Sequence, residues 1–259
     1  MIKGIDVSHW QGKIDFAKVK SAGFSFVIIK AGGADCGMYT DKCFETYYKD
    51  AVAAGLGVGA YYFTSKFFST KAQGVKEANH FLKIIKGKKF DYPVWCDVEA
   101  VPISAGRYNI TKAACGFCDT MEKAGYYCGI YASDISGFKS RMILENLAKY
   151  DKWVARYNTD GPQYVQTYGI WQYGGSANCK ASPKVTGVTS AECDQNFAYK
   201  DYPSIIKKAR LNGFEDSDNI KKYYIVSTDI MTEGDKNAVT KLLDDLRIKY
   251  SISTKEVQE

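Results

Sequence analysis

Hydrophobic residues along this chain fall into short runs rich in Val, Ile and aromatic side chains, separated by longer stretches with helical periodicity. Strand-like runs occur at residues 4–9, 24–29, 58–63, 92–99, 127–131, 153–157 and 169–173, with a short eighth around 193–194. Between the early runs, residues 14–22, 44–54, 70–86 and 110–124 place apolar positions on one helical face. Three stretches end in Ala22-Gly23, Ala54-Gly55 and Ala124-Gly125, each just before a new strand. Glycine accepts the left-handed φ at which a helix stops and the chain turns back. This alternation predicts a parallel sheet joined by right-handed crossovers. Beyond residue 150 the intervals are too short for full helices, so the pattern predicts an α/β fold: a β/α barrel of eight strands with reduced helices in its second half. A doubly wound open sheet is the alternative, but no glycine-rich dinucleotide or phosphate loop stands in the right context.

Near the end of the chain the pattern starts again, with strand-like residues 223–228, a helix over 235–246 and a strand at 249–253. The organisation expected is a barrel over 1–210, a linker over 211–219 and a small C-terminal β-α-β module over 220–259, which docks on the barrel or pairs with another copy. Charge divides similarly. From Glu215 onward there are seven basic and ten acidic residues, against 28 and 19 before it, so the larger part carries +9 and the tail −3. That asymmetry suggests a polyanionic partner for the larger part, and charge alone leaves nucleic acid, a membrane surface and a wall polymer open. With 46% hydrophobic and 25% charged residues, a disordered or fibrous chain is excluded. No run reaches the roughly 18 apolar residues of a membrane span. Met1-Ile2-Lys3 enters a strand with no signal-peptide core before it, so export is expected to use another route.

Eight cysteines are too sparse for the framework of a small secreted scaffold. Cys115-Gly-Phe-Cys118 lies in a helical pattern without a second pair at zinc spacing, and reads as packing. Cys36 with Cys43, or Cys179 with Cys193, would each close a loop if oxidised. His80 lies in a helical pattern and reads as structural, while His9 stands close to Asp6 and Trp10. Neither a nucleophile elbow nor a paired Cys-His arrangement is apparent.

Four acidic residues fall at the predicted C-terminal ends of strands: Asp6, Asp97, Glu99 and Asp194. In a β/α barrel that rim is where active sites assemble, and residues two apart on a strand point the same way, so Asp97 and Glu99 are expected to share a pocket. Clustered carboxylates repel one another's ionisation, which lets one keep a proton while another stays anionic, as glycosidic cleavage requires. Glu99 is assigned as general acid, Asp97 and Asp194 as anions, and Asp6 as support; a divalent-metal cluster and helix-capping aspartates remain as alternatives. Trp10, Tyr61, Phe63, Tyr131, Trp153, Tyr157, Trp171 and Tyr173 lie near the same rim, where aromatic faces suit apolar sugar faces. Tyr61 and Tyr131 are candidate donors to an acetamido or hydroxyl oxygen, with barrel packing as the alternative for each.

These motifs, taken in order, resemble the glycoside hydrolase family 25 lysozymes, the muramidases of bacteria and their phages. Gly4-Ile5-Asp6-Val7-Ser8-His9-Trp10-Gln11-Gly12 resembles the family's opening motif, and Asp97-Val98-Glu99 its acidic pair. Residues 57–63, Gly129-Ile130-Tyr131 and Trp171-Gln172-Tyr173 resemble intervening motifs, and Cys193-Asp194-Gln195-Asn196-Phe197 the closing one. The resemblance covers residues 3–205. It implies a flattened eight-stranded barrel and hydrolysis of the β-1,4 bond between N-acetylmuramic acid and N-acetylglucosamine in bacterial peptidoglycan, making the chain a bacteriolytic enzyme. It also implies Glu99 as acid, Asp97 and Asp194 beside the reacting sugar, Asp6 in support, Tyr61 near the acetamido group, and no metal or organic cofactor. Substrate-assisted retention is the favoured family account, with inversion open. The partner implied is peptidoglycan rather than nucleic acid. A leaderless start then fits a phage endolysin released through a membrane pore, or an enzyme lacking its signal. The tail resembles small modules of some lysins associated with wall targeting or self-association. Two positions depart from the family pattern: Tyr62, where many relatives have histidine, and Cys193. An inactive wall-binding barrel and a hydrolase of another amino-sugar polymer such as chitin are the competing readings.

Overall fold

In the computed structural model the described residues are 1–157, 160–175, 184–214 and 233–245. The chain divides into two compact units, residues 1–216 and 217–259. In the second unit the described residues form a helix, α6 (Glu233–Asp245); the strands expected at 223–228 and 249–253 lie outside the described residues.

The first unit is a closed barrel. Its strands are β1 (Ile2–Val7), β2 (Phe26–Gly33), β4 (Gly57–Phe63), β5 (Val94–Asp97), β6 (Cys128–Ser133), β7 (Asp151–Ala155), β8 (Ile170–Gly174) and β9 (Asp194–Ala198), with a two-residue strand β3 (Tyr39–Thr40) hairpinned onto the end of β2. Pairing runs parallel from β1 through β2, β4, β5, β6 and β7 to β8. β9 closes the ring antiparallel to both β8 and β1. Helices α1 (Phe16–Ser21), α2 (Phe44–Ala53), α3 (Lys71–Ile85) and α4 (Arg107–Lys123) cover the crossovers of the first half, as the periodicity predicts. Gly23, Gly55 and Gly125 all take positive φ at helix ends. Between β6 and β9 the described residues hold short turns in place of full helices, including a π-helical turn over Asp134–Lys139. The last helix of the unit is α5 (Tyr202–Lys208).

Strand alternation separates two cores. One face of the sheet packs Ile5, Val27, Val58, Ala60 and Ile130 against helix residues such as Phe81 and Phe117. The other face fills the barrel with Phe26, Ile28, Trp95, Trp153 and Ile170, joined by Tyr92 and by Tyr202 of α5. Trp95 fits because Gly129 on the next strand has no Cβ; one built there overlaps the indole ring. At the N-terminal ends of the strands, Asp151 accepts from the hydroxyls of Tyr127 (3.1 Å) and Tyr202 (2.8 Å) and pairs with Lys200 (2.8 Å). This end is plugged by rings and polar bonds, which leaves the opposite rim open.

Asn212 ties the chain after α5 to the barrel. Fully buried, it donates from Nδ2 to the carbonyls of Phe90 (3.1 Å) and Tyr92 (2.9 Å), and its Oδ1 accepts from the N–H of Tyr127 (2.7 Å). Residues 211–214 are thereby joined to the start of β5 and the approach to β6. Cys36, Cys43 and Cys193 are unbridged, and Cys179 lies outside the described residues. Cys118 is buried beside Cys128 (Sγ to Sγ 3.6 Å), so the Cys115–Cys118 segment packs as expected. Among the described residues no helix is long and apolar enough to cross a membrane.

Candidate active site

The open rim carries a groove of about 310 Å3. Asp6, Asp97, Glu99 and Asp194 all line it, so residues from the beginning, middle and end of the unit meet there. Their routes differ from the expected one in two ways. Asp97 is the last residue of β5 and Glu99 lies beyond the strand, yet both reach the groove. Asp194 is the first residue of β9 rather than the end of a strand; because β9 runs antiparallel, its start falls at the rim where the other strands end. The register sets Asp194 directly across from Asp6.

Asp6, only 6% exposed, accepts at Oδ2 from Gln172 Nε2 (2.9 Å) and from Asn196 Nδ2 (2.8 Å). Both amides are oriented from behind. Tyr131 Oη donates to Gln172 Oε1 (2.8 Å) and Trp153 Nε1 donates to Asn196 Oδ1 (2.8 Å), which leaves the amide N–H groups to face Asp6. Asp194 accepts at Oδ1 from Tyr157 Oη (2.7 Å). Asp97 is 3% exposed, and its Oδ1 has no hydrogen-bond partner among the described residues. Glu99 faces the open groove and makes no hydrogen bond among the described residues.

All four carboxyls are held above their ordinary range. Burial is the first cause in each. The Asp194 charge next raises Asp6 and Glu99, and the Glu99 charge raises Asp97. Opposing these, Lys30 favours ionisation of Asp97 and Glu99, Arg141 that of Glu99, the two amides that of Asp6, and Tyr157 that of Asp194. Burial and neighbouring charge thus hold Asp6, like Asp97, well above the usual carboxylate range despite its two amide donors, while Glu99 and Asp194 are raised less, so the cluster shares its protons jointly.

Trp10, Tyr61, Phe63, Tyr131 and Trp153 also line the groove. Trp10 stands 75% exposed at the rim with its ring 4.6 Å from His9, whose Nδ1 lies 2.7 Å from Asp41 Oδ2 rather than near Asp6. The Tyr61 hydroxyl makes no hydrogen bond among the described residues, and burial keeps it a protonated donor. Tyr131 was a candidate donor to substrate, but its hydroxyl is already spent on Gln172. Tyr157 enters through Asp194. Trp171 lies outside the groove: alternation along β8 sends Gln172 inward and Trp171 outward against Phe197, with Nε1 donating to the carbonyl of Arg156 (2.8 Å). Tyr173 is stacked on Phe197 on that same outer face. Tyr62 likewise points into the helix layer, its hydroxyl at Gly33 O (3.1 Å) and His80 Nδ1 (2.9 Å), so its departure from the family pattern does not alter the groove. Among the described residues no group of three His, Cys, Asp or Glu is arranged to hold a metal ion.

Sequence reasoning missed Lys30, Asp35, Gln172 and Asn196, all close to the carboxylates. Lys30 is 7% exposed with Nζ over the Phe63 ring (4.5 Å), and Asp35 accepts from Tyr39 Oη (2.9 Å). The signal available was position: Lys30 is two residues beyond the inward Ile28, and Asn196 two beyond Asp194.

An eight-stranded barrel that gathers carboxylates between aromatic walls at one rim is the architecture of a barrel glycoside hydrolase. The model of glycosyl hydrolases family 25 matches residues 5–181, and the chain belongs to that family. It is 31% identical to lysozyme M1 of Streptomyces globisporus over 212 residues, covering 75% of this chain and 67% of that protein. It is 29% identical to the autolytic lysozyme of Clostridium acetobutylicum over 195 residues, covering 75% of this chain but 55% of the relative, so it spans about half of that protein's length. Among solved structures, the CTP1L endolysin superposes with a TM-score of 0.68 at 25% identity, covering 96% of this chain and 80% of that one. The lysozyme of Streptomyces coelicolor gives 0.66 at 26% identity, covering 83% and 98%.

Proposed function

We propose that this protein is a lysozyme, an N-acetylmuramidase that hydrolyses the β-1,4 bond between N-acetylmuramic acid and N-acetylglucosamine in bacterial peptidoglycan. The observation that carries this reading is the unequal hydrogen-bond support of Asp6, Asp194 and Glu99 in the groove. Asp6 and Asp194 accept hydrogen bonds that favour their anions, whereas Glu99 has no such donor among the described residues and faces the space a glycan would occupy. A carboxyl with that environment suits the general acid, which protonates the leaving glycosidic oxygen.

As Glu99 delivers its proton, the acetamido oxygen of the cleaved sugar attacks the anomeric carbon and the leaving sugar departs with the proton. Asp97 lines the groove, where its carboxylate accepts from the acetamido N–H and steers the attacking oxygen. Asp194 stabilises the positive charge that spreads over the ring, with Asp6 fixed behind it. Water then opens the cyclic intermediate, giving up a proton to Glu99 and restoring both groups. Tyr61 is a donor for an oxygen of the same sugar, and Trp10 offers an exposed ring face at the wall, with Trp153 buried at the floor.

The test is mass spectrometry of the soluble products from purified peptidoglycan after borohydride reduction. The expected result is reduced N-acetylmuramic acid at the new ends; reduced N-acetylglucosamine ends, or binding without cleavage, would sink the reading. Glu99→Gln is expected to lower kcat by roughly 10²–10⁴-fold with wall binding and melting temperature retained, and full activity in that variant would remove Glu99 from the acid role.

A further inference from the structure

Outside the groove, the barrel's outer layer holds a buried carboxylate for which the proposed chemistry has no use. Glu77 of α3 is fully buried, and no cation lies within ion-pair distance among the described residues. The other buried positions of this helix are Gly74, Ala78, Phe81 and Ile85, so packing alone would be served by an apolar side chain. A carboxylate left there without partners is costly, and Glu77 has three. Its Oε1 accepts from Ser65 Oγ (2.6 Å) and Gln73 Nε2 (2.7 Å), and its Oε2 from Ser65 N–H (3.1 Å). Ser65 Oγ in turn accepts from Phe67 N–H (3.2 Å), which shapes the turn leaving β4.

The preceding residue is tied to the backbone of the acidic segment. Thr64 donates twice to the carbonyl of Asp97, from its N–H (3.0 Å) and from its Oγ1 (2.7 Å). On the opposite side the Val98 N–H donates to the carbonyl of Tyr131 (3.0 Å). The backbone that carries Asp97 and Glu99 out of the sheet is therefore clamped from β4 and from β6. With no side-chain hydrogen bond of its own, Glu99 depends on this backbone for its position.

We propose that Glu77 is a positioning residue for the catalytic carboxylates: it holds the Thr64–Ser65 turn, and Thr64 holds the Asp97–Glu99 segment. This rests on the muramidase reading. The experiment compares kcat, KM and melting temperature on soluble peptidoglycan fragments for wild type, Thr64→Val, Thr64→Ser, Glu77→Gln and the Thr64→Val/Glu77→Gln double variant. Thr64→Val is expected to lower kcat by roughly ten- to hundredfold through displacement of the acid, with KM changed by less than about twofold. Thr64→Ser, which keeps the hydroxyl, restores most of the rate. Glu77→Gln lowers kcat in the same way, and the double variant loses less than the product of the single losses, because both act along one path.

Wild-type kcat in folded Thr64→Val overturns the proposal, as does Glu77→Gln that loses thermal stability while keeping its rate, or a fully multiplicative double variant. If Glu77→Gln does not fold, Ser65→Ala, which removes the hydroxyl that joins Glu77 to the turn, takes its place, and wild-type kcat in that variant overturns the proposal. Wild-type protein without muramidase activity overturns the reading beneath the proposal, an outcome distinct from all of these.

Discussion

Crowding carboxylates into one groove makes their protonation a joint property, and the residues around them decide how it is shared. Lys30 is the clearest case: a buried cation beside Phe63 that favours the ionised forms of Asp97 and Glu99. In the proposed mechanism Glu99 acts only while protonated, so the rate is expected to fall as pH rises through the pKa that governs it. Removing a cation makes ionisation harder and moves that pKa up. Lys30→Met, which keeps an unbranched stem beside Phe63, is therefore expected to shift the alkaline limb of the kcat/KM profile to higher pH; a limb that stays in place or moves down would refute the assignment. The acids themselves were legible in the sequence because Asp and Glu at strand ends stand out among apolar runs. Gln172, Asn196 and Lys30 were not, since nothing in an isolated strand says which alternate face turns inward when both faces are buried. Trp171 shows the same ambiguity from the other side: its aromatic character pointed to the groove, while its parity put it outside.

At the scale of elements, the first half of the barrel follows from periodicity and helix-stopping glycines, and the second half from closure. β9 is short and antiparallel, and its role comes from pairing both with the preceding strand β8 and with β1 at the other end of the unit. A similar long-range tie is made by Asn212, whose side chain bonds three backbone groups of Phe90, Tyr92 and Tyr127. Asn212→Ala leaves those buried groups unsatisfied and is expected to cost about 2–4 kcal/mol of stability. Urea unfolding followed by circular dichroism checks this: a lower midpoint with unchanged slope is the expected outcome, and a midpoint within error of wild type would mean that the tie contributes little. A buried Asn in a segment read as a linker offers no pattern to detect, because its partners lie more than 80 residues away.

For the whole molecule, charge and chemistry are spatially divided. Residues before Glu215 sum to +9, yet the groove is lined by five carboxylates, Asp35 included, and by Lys30, so the positive excess lies outside the groove. On the muramidase reading that excess would draw the enzyme to an anionic wall over distances that salt screens, while the short-range chemistry of the groove would be less affected. Raising the ionic strength is therefore expected to depress cleavage of intact walls more than cleavage of short neutral glycan fragments, as read by reducing-end release from each. An equal salt response on both substrates would remove charge steering from the account.

The amino-acid sequence by itself determined the strand and helix rhythm, the number of barrel strands and the acidic set, because these rest on local periodicity and on residue types rare in apolar runs. Only the tertiary structure decided that β9 closes the barrel in reverse, that Asp194 faces Asp6, that Gln172 and Asn196 grip Asp6, and that Trp171 turns away. Each depends on strand direction and register between segments distant in the chain, and a shift of one residue would send every side chain of a strand to its other face.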